Sequence, residues 1–407
     1  MKQKQVKKRK FKFRYVGLGI LVVVVFMVSI YMHFGGFGTG ECVDEKEFTT
    51  YAKEVKELTI PKEAKVIALG EATHGNREFQ ELKKEVFEQV VKENGVKVFA
   101  IEGDFGGCEK VNAYICGGSG SAEEAASWIG FDIYRTEQME QLISYMRAYN
   151  DTVSEKEQLR FYGFDMQRPE YSYEIIKDAC EELQVELPSL ENLQSELDSL
   201  EQVRSQLMEK HASELVLRCV DMVSQYRKLK AVPESEGGTI RDQYMAENVE
   251  WILKQEQERG NSTIFITGHN THVGKWESYD SMGKILSEHL KEQYYVIGTD
   301  FYKTRCNLPK KKGNRRTVQT FYSHDPFAKA AKVTGMTQCW IDFQKVPVDS
   351  LLGKKLVDYT FMGSLGEGYN PWMRLLTPSY RMFQPLAQLY DSMIFVTEAN
   401  PINVKGM

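Results

Sequence analysis

The 407-residue chain contains no G-x-S-x-G nucleophile elbow, no G-x-x-x-x-G-K-[ST] phosphate loop and no H-E-x-x-H zinc signature. The first absence disfavours a serine esterase of the α/β-hydrolase type, and the other two remove the commonest phosphate-loop and zincin readings. No C-x-x-C pair or Cys–His finger spacing occurs among the seven cysteines. Cys108 and Cys116 are near enough in sequence to pair in an oxidising compartment, the alternative being buried cysteines that act as small hydrophobes. Internal repeats and low-complexity stretches are also missing.

Charge is unevenly placed. Acids are absent from residues 1–15, which hold eight Lys and Arg, so the remainder of a chain of net charge −5 sums to about −13. An acidic body suits nucleic acid poorly. Asp, Glu, Lys and Arg are all absent from Val16 to Phe34, a run about as long as the roughly 17–25 residues that cross a bilayer. A basic block ahead of an apolar span stays cytoplasmic. The expected order is therefore a cytoplasmic basic segment (1–15), a transmembrane anchor (16–34), a linker (35–46) and an extracytoplasmic domain (47–402). A cleaved signal peptide is the rival, but its apolar region is typically only about 7–15 residues long.

What is present is a set of short apolar runs rich in Val, Ile, Phe and Tyr: Lys65–Gly70, Val96–Ile101, Arg160–Phe164, Thr263–Thr267 and Tyr294–Gly298. Continuous apolar character marks strands buried on both faces. Helical patterns lie between them, as where Phe79, Leu82, Val86, Val90 and Val91 recur at helix spacing. Alternation of this kind predicts an α/β fold, a three-layer α/β/α core around a mostly parallel sheet. Residues 171–260 read as a charged helical insertion, broken at Ala231–Gly238. Cys339–Phe343 and Met393–Thr397 are expected as further strands at a sheet edge.

Polar residues gather at the strand ends. The first run leads into Glu71, His74 and Arg77, the second into Glu102 and Asp104, the third into Asp165, the fourth into His269, Asn270 and His272, and the fifth into Asp300. In a parallel sheet these ends share one edge, where ligands bind. Each residue also has a structural reading, since acids cap helices and single histidines pack in cores. Convergence of three of only seven histidines is what favours a site. An imidazole beside a carboxylate can take a proton from water, and a second imidazole or Arg77 can steady the oxyanion formed on an attacked carbonyl. Ester or lactone hydrolysis needs these parts. The same set, with Glu71, His74, His269 and His272 as ligands, could instead hold a divalent metal for hydrolysis, peptide hydrolysis included. A non-catalytic ligand-binding module is the third reading. Asp104, Asp165 and Asn270 are expected to contact the substrate.

GEATHGNREF, the AIEGD strand end, RDQYMAENVEWIL from Arg241, GHNTHVGK and MGKILSEHLKEQYYVIG from Met282 together resemble the erythromycin esterase family, from about residue 47 to 402. The resemblance implies a helical insertion in a three-layer α/β fold and a lactone-opening water activated by a histidine without metal. By motif, His74 would be the base, Glu71 and Glu102 its orienting carboxylates, and His269 and His272 the rest of the pocket. It also places a basic residue in the first helix, with Lys83 the candidate and Arg77 nearby. The wider superfamily includes metal-dependent hydrolases and haem- or iron-related binding proteins. The family's resistance enzymes resemble soluble cytoplasmic proteins. The apolar Val16–Phe34 sets this chain apart and leaves open which ester, macrolide or other, is cleaved.

Overall fold

A computed structural model describes residues 15–29, 42–187, 193–276, 279–310, 315–323, 325–374 and 377–406. Ten strands are seen among the described residues: β1 (Val66–Glu71), β2 (Val98–Asp104), β3 (Arg160–Asp165), β4 (Ile264–His269), β5 (Tyr294–Pro309), β6 (Arg316–Tyr322), β7 (Gln338–Asp342), β8 (Tyr359–Gly363), β9 (Arg381–Pro385) and β10 (Ser392–Ala399). The main sheet runs β3-β2-β4-β1-β5-β10-β7, with β6 paired to the far part of β5. From β3 through β10 neighbouring strands are parallel, whereas β7 and β6 are antiparallel to their partners. The five expected strands are thus present in one parallel array.

Alternate residues of each strand feed two cores. Val66, Ala68, Ala100, Ile266 and Val296 face the helices of the insertion. Ile67, Leu69, Phe99, Phe265 and Ile297 face the helix Arg77–Asn94 and its neighbours. Burial on both faces is why these strands read as unbroken apolar runs. In Arg77–Asn94, Phe79, Leu82, Val86 and Val90 are buried, and Gly95 ends the helix with φ 67°, a left-handed stop that glycine adopts without strain.

Four helices, Glu170–Leu183, Leu193–Glu209, Glu214–Ala231 and Glu234–Glu258, make up the insertion. The expected break at Ala231–Gly238 shrinks to Val232–Pro233. Pro233 starts the last helix, and Gly237 and Gly238 continue it. Of the two expected edge strands only β7 lies at an edge; β10, containing Met393–Thr397, lies inside the sheet between β5 and β7. The hairpin β8–β9 forms a separate two-stranded sheet.

One further expectation changes. Cys108 lies within the helix Phe105–Ile115 and Cys116 caps its end. Eight residues along a helix separates them by about 12 Å, beyond disulfide reach, and no disulfide joins the described cysteines. Residues 15–29 are helical, but among the described residues no helix is long and apolar enough to cross a membrane. Positions 30–34 of the expected span, 1–14 of the basic segment and 35–41 of the linker lie outside the described residues.

Candidate active site

The C-terminal ends of β1, β2 and β4 open into a cavity of about 580 Å³, lined by His74, Glu102, Arg241, His269, His272 and, at its far wall, Glu367. That volume suits a small-molecule ligand.

β1 ends at Glu71, which is buried and accepts from Lys83 Nζ at 2.9 Å and from Gln80 Nε2 at 3.0 Å. One turn later His74 turns back so that its Nδ1 meets Glu71 Oε2 at 3.2 Å. A carboxylate can only accept, so Nδ1 carries the proton and Nε2 is left to the cavity. Burial opposes protonation of this ring. Glu71, with Glu102 and Glu367 further off, outweighs burial and raises the His74 pKa above 6.5. Burial likewise pushes Glu71 up, but Lys83 and His74 more than reverse it and hold that carboxylate below its usual value. Gly70 makes the turn compatible with its neighbour: a Cβ there would come within 2.1 Å of Asn270 Oδ1.

Glu71→Gln is therefore expected to move the acidic limb of the pH–rate profile to lower pH. Neutral His74 is the active form, so rate rises as pH climbs through its pKa, and removing the charge that raises this pKa lowers the limb. A limb that stays put would dissociate His74 from the rate.

On the opposite wall the helix Glu234–Glu258 supplies Arg241. Its Nη2 reaches Glu102 Oε1 at 2.7 Å and Asp165 Oδ2 at 2.6 Å, and its Nη1 lies 3.1 Å from His272 Nε2. Burial disfavours its charge, but Asp165 and Glu102 overcome this and raise its pKa. Glu102, pushed up by burial, is held well below its ordinary value by His272, Arg241 and His74. Its second oxygen accepts from the His269 backbone N–H at 2.9 Å. His272 donates through Nδ1 to Asp242 Oδ1 at 2.7 Å, and Tyr279 donates to the other Asp242 oxygen. The cleft thus holds a second imidazole–carboxylate pair, His272–Asp242, facing His74–Glu71 across Glu102.

His269 stands between them, its ring centroid 5.0 Å from that of His74 and 6.4 Å from that of His272. Nε2 donates to the Leu365 carbonyl at 2.9 Å, and Nδ1 accepts from the Thr271 hydroxyl at 2.7 Å. Both nitrogens are engaged, so this ring positions the loop after β8 and does not exchange protons. Burial, then the two flanking histidines, lowers its pKa to about 4. Between pH 6.5 and about 4 the unfolded chain protonates this histidine and the folded chain does not. Stability is expected to fall between pH 6.5 and 4 by on the order of 3 kcal/mol. Urea melts across that window check it, and an equal slope in His269→Gln would refute it.

The remaining expected contacts lie elsewhere. Arg77 is on the surface, paired with Glu78 and Glu81. Lys83 is buried behind Glu71, away from the cavity. Asp104 caps the helix Phe105–Ile115 through Gly107 N, and burial raises its pKa to about 8. Asp165 sits beneath Arg241. Asn270 clips β5 by donating to Thr299 O at 2.7 Å and accepting from Thr299 N at 3.2 Å. Asp300 lies mid-strand and accepts from Phe301 N and Gly363 N. None of these six lines the cavity.

Arg241, Asp242 and the loop at Ser364–Glu367 were not expected in the site. Arg241 and Asp242 open the RDQYMAENVEWIL stretch, but they enter from a helix and so carry no strand-end mark. The metal reading fits poorly. Glu71 is turned to Lys83, both His269 nitrogens are used, and among the described residues no three His, Cys, Asp or Glu converge as a metal would require.

Comparison with known proteins agrees with this architecture. Erythromycin esterase type II of Escherichia coli is 25% identical over 353 residues, covering 70% of this chain and 82% of its own. A Bacillus cereus protein of solved structure aligns with TM-score 0.73 at 19% identity, over 88% of this chain and 98% of that one. A histidine-to-asparagine mutant of the erythromycin esterase EreC, in its open conformation, aligns with TM-score 0.58 at 12% identity, over 85% and 93%. The sequence profile of the erythromycin esterase family matches residues 91–203 and 176–399, well over half of the chain, and the protein belongs to that family.

Proposed function

We propose that the chain hydrolyses a carboxylic ester or lactone with a water activated by His74, in a domain held outside the cytoplasm by the apolar segment that begins at Val16. The observation that carries the chemistry is the His74–Glu71 pair, with Nδ1 fixed and Nε2 turned to the cavity. A water at Nε2 loses its proton to the imidazole as its oxygen attacks the acyl carbon. Arg241, which lines the cavity, offers the one N–H of Nη1 not given to His272 to the developing oxyanion. His74, now protonated and steadied by Glu71, returns the proton to the departing alcohol oxygen. No step requires a metal. The anchored reading is supported by the helix at residues 15–29, whose side chains at 15–28 are all exposed, and by the cations before it.

The full chain is assayed on aryl esters and on macrolide lactones, with and without EDTA. Turnover indifferent to chelator is the expected result. Turnover abolished by chelator and restored by a divalent cation would overturn the metal-free mechanism. Saturable ligand binding with no turnover of any ester would overturn hydrolysis.

A further inference from the structure

Beyond residues 15–28, eight large apolar side chains are exposed among the described residues, and six of them share one region. Val333 ends the helix Pro326–Val333, Val348 precedes the helix Leu351–Val357, which Leu351 begins and Val357 ends, and Tyr359 and Phe383 lie diagonally across β8 and β9, where Tyr359 pairs with Pro385 and Phe361 with Phe383. The Tyr359 and Phe383 rings meet with centroids 5.4 Å apart, tilted by 38°. Both helices pack against the helix Glu45–Tyr51, and Leu352 N donates to Glu47 Oε2 at 2.8 Å. The patch therefore surrounds the first element of the folded body.

Chain connectivity says what lies opposite. Residues 30–44 separate the apolar helix from Glu45, and even fully extended they span only about 50 Å. Charge agrees: residues 326–359 hold five Lys and three Asp in a body that sums to about −13. A stretch with this positive excess is attracted to anionic headgroups, whereas the body as a whole is repelled. Aliphatic residues bracketing a tyrosine, with lysines at the rim, match the interfacial zone of a membrane.

We propose that this face, formed by the helix Leu351–Val357 and the hairpin β8–β9, docks on the surface of the bilayer that holds the N-terminal helix. The proposal rests on the anchored reading above. Docking would fix the orientation of the cleft as well as its distance from the lipid. β8 starts in the patch at Tyr359 and runs directly into Ser364 and the cavity wall, a path of about 17 Å.

The test uses the full chain in vesicles of phosphatidylcholine and phosphatidylglycerol. Tyr359→Trp is compared with Met208→Trp, placed on the insertion at matched exposure, 54% against 55%. Flotation of the chain with the vesicles reports the anchor. Brominated lipid is expected to quench emission from the Tyr359→Trp protein, and Leu351→Asp with Val357→Asp is expected to abolish that quenching while flotation persists. Flotation with equal quenching at both sites overturns the docking face and leaves the anchor standing. Failure to float overturns both. Shielding of position 359 from aqueous iodide without bromolipid quenching assigns the face to the chain's own N-terminal helix or a second copy, and overturns the bilayer.

Discussion

Replacing His74 with alanine is expected to lower kcat/KM by about 10²–10⁴ while leaving the fold intact. Glu71 keeps Lys83 and Gln80 as partners when the imidazole goes, so no buried charge is stranded. His269 cannot substitute, because both of its nitrogens are committed. His272 faces the other wall, with Nε2 against Arg241. Ligand binding should survive, since the cavity gains room and loses only a polar atom. Added imidazole should restore part of the rate. Undiminished hydrolysis in His74→Ala would sink the mechanism.

Arg241→Met is expected to act on stability as strongly as on rate. Asp165 is fully buried and Glu102 nearly so, and both depend on this guanidinium. Breaking a buried ion pair from one side costs about 3–5 kcal/mol, chiefly because the abandoned charge is left without compensation. Adding Asp165→Asn should recover part of that loss, because it removes one of the two stranded carboxylates. Hydrolysis should stay low in both variants, since Glu102 and His272 lose the donor between them. Thermal melts and ester assays on the single and double variants separate the effects. A midpoint unchanged in Arg241→Met would show that water satisfies the two acids.

The parallel sheet and the cluster at its edge were legible in the sequence because burial on both faces writes unbroken apolar runs, and the polar residue that follows each run is conspicuous. That signal finds backbone position and does not find side-chain direction. Glu71 and His74 come from one strand end and meet. Asp104 and Asn270 come from equally marked ends and turn to a helix N-terminus and to β5. Arg77 and Lys83 share one helix, yet one faces water and the other is sealed behind Glu71. Arg241 and Asp242 were illegible as site residues for another reason. They return to the sheet on the last helix of the insertion, where an Arg–Asp pair looks like any solvated helix surface until its partners are known.

The strand order also governs when this protein can fold. β1 carries Glu71 and is made early, but its two neighbours are β4 and β5, so Val66 waits for Ile264 on one side and Tyr294 on the other. Until about residue 270 has been synthesised β1 has two bare edges, and until about residue 300 it keeps one; bare apolar edges recruit other chains. The loop that His269 grips at Leu365 arrives later still. A ribosome stalled near residue 290 would release a fragment bearing Glu71, His74, Glu102, Asp242, His269 and His272, prone to aggregate and unable to assemble them.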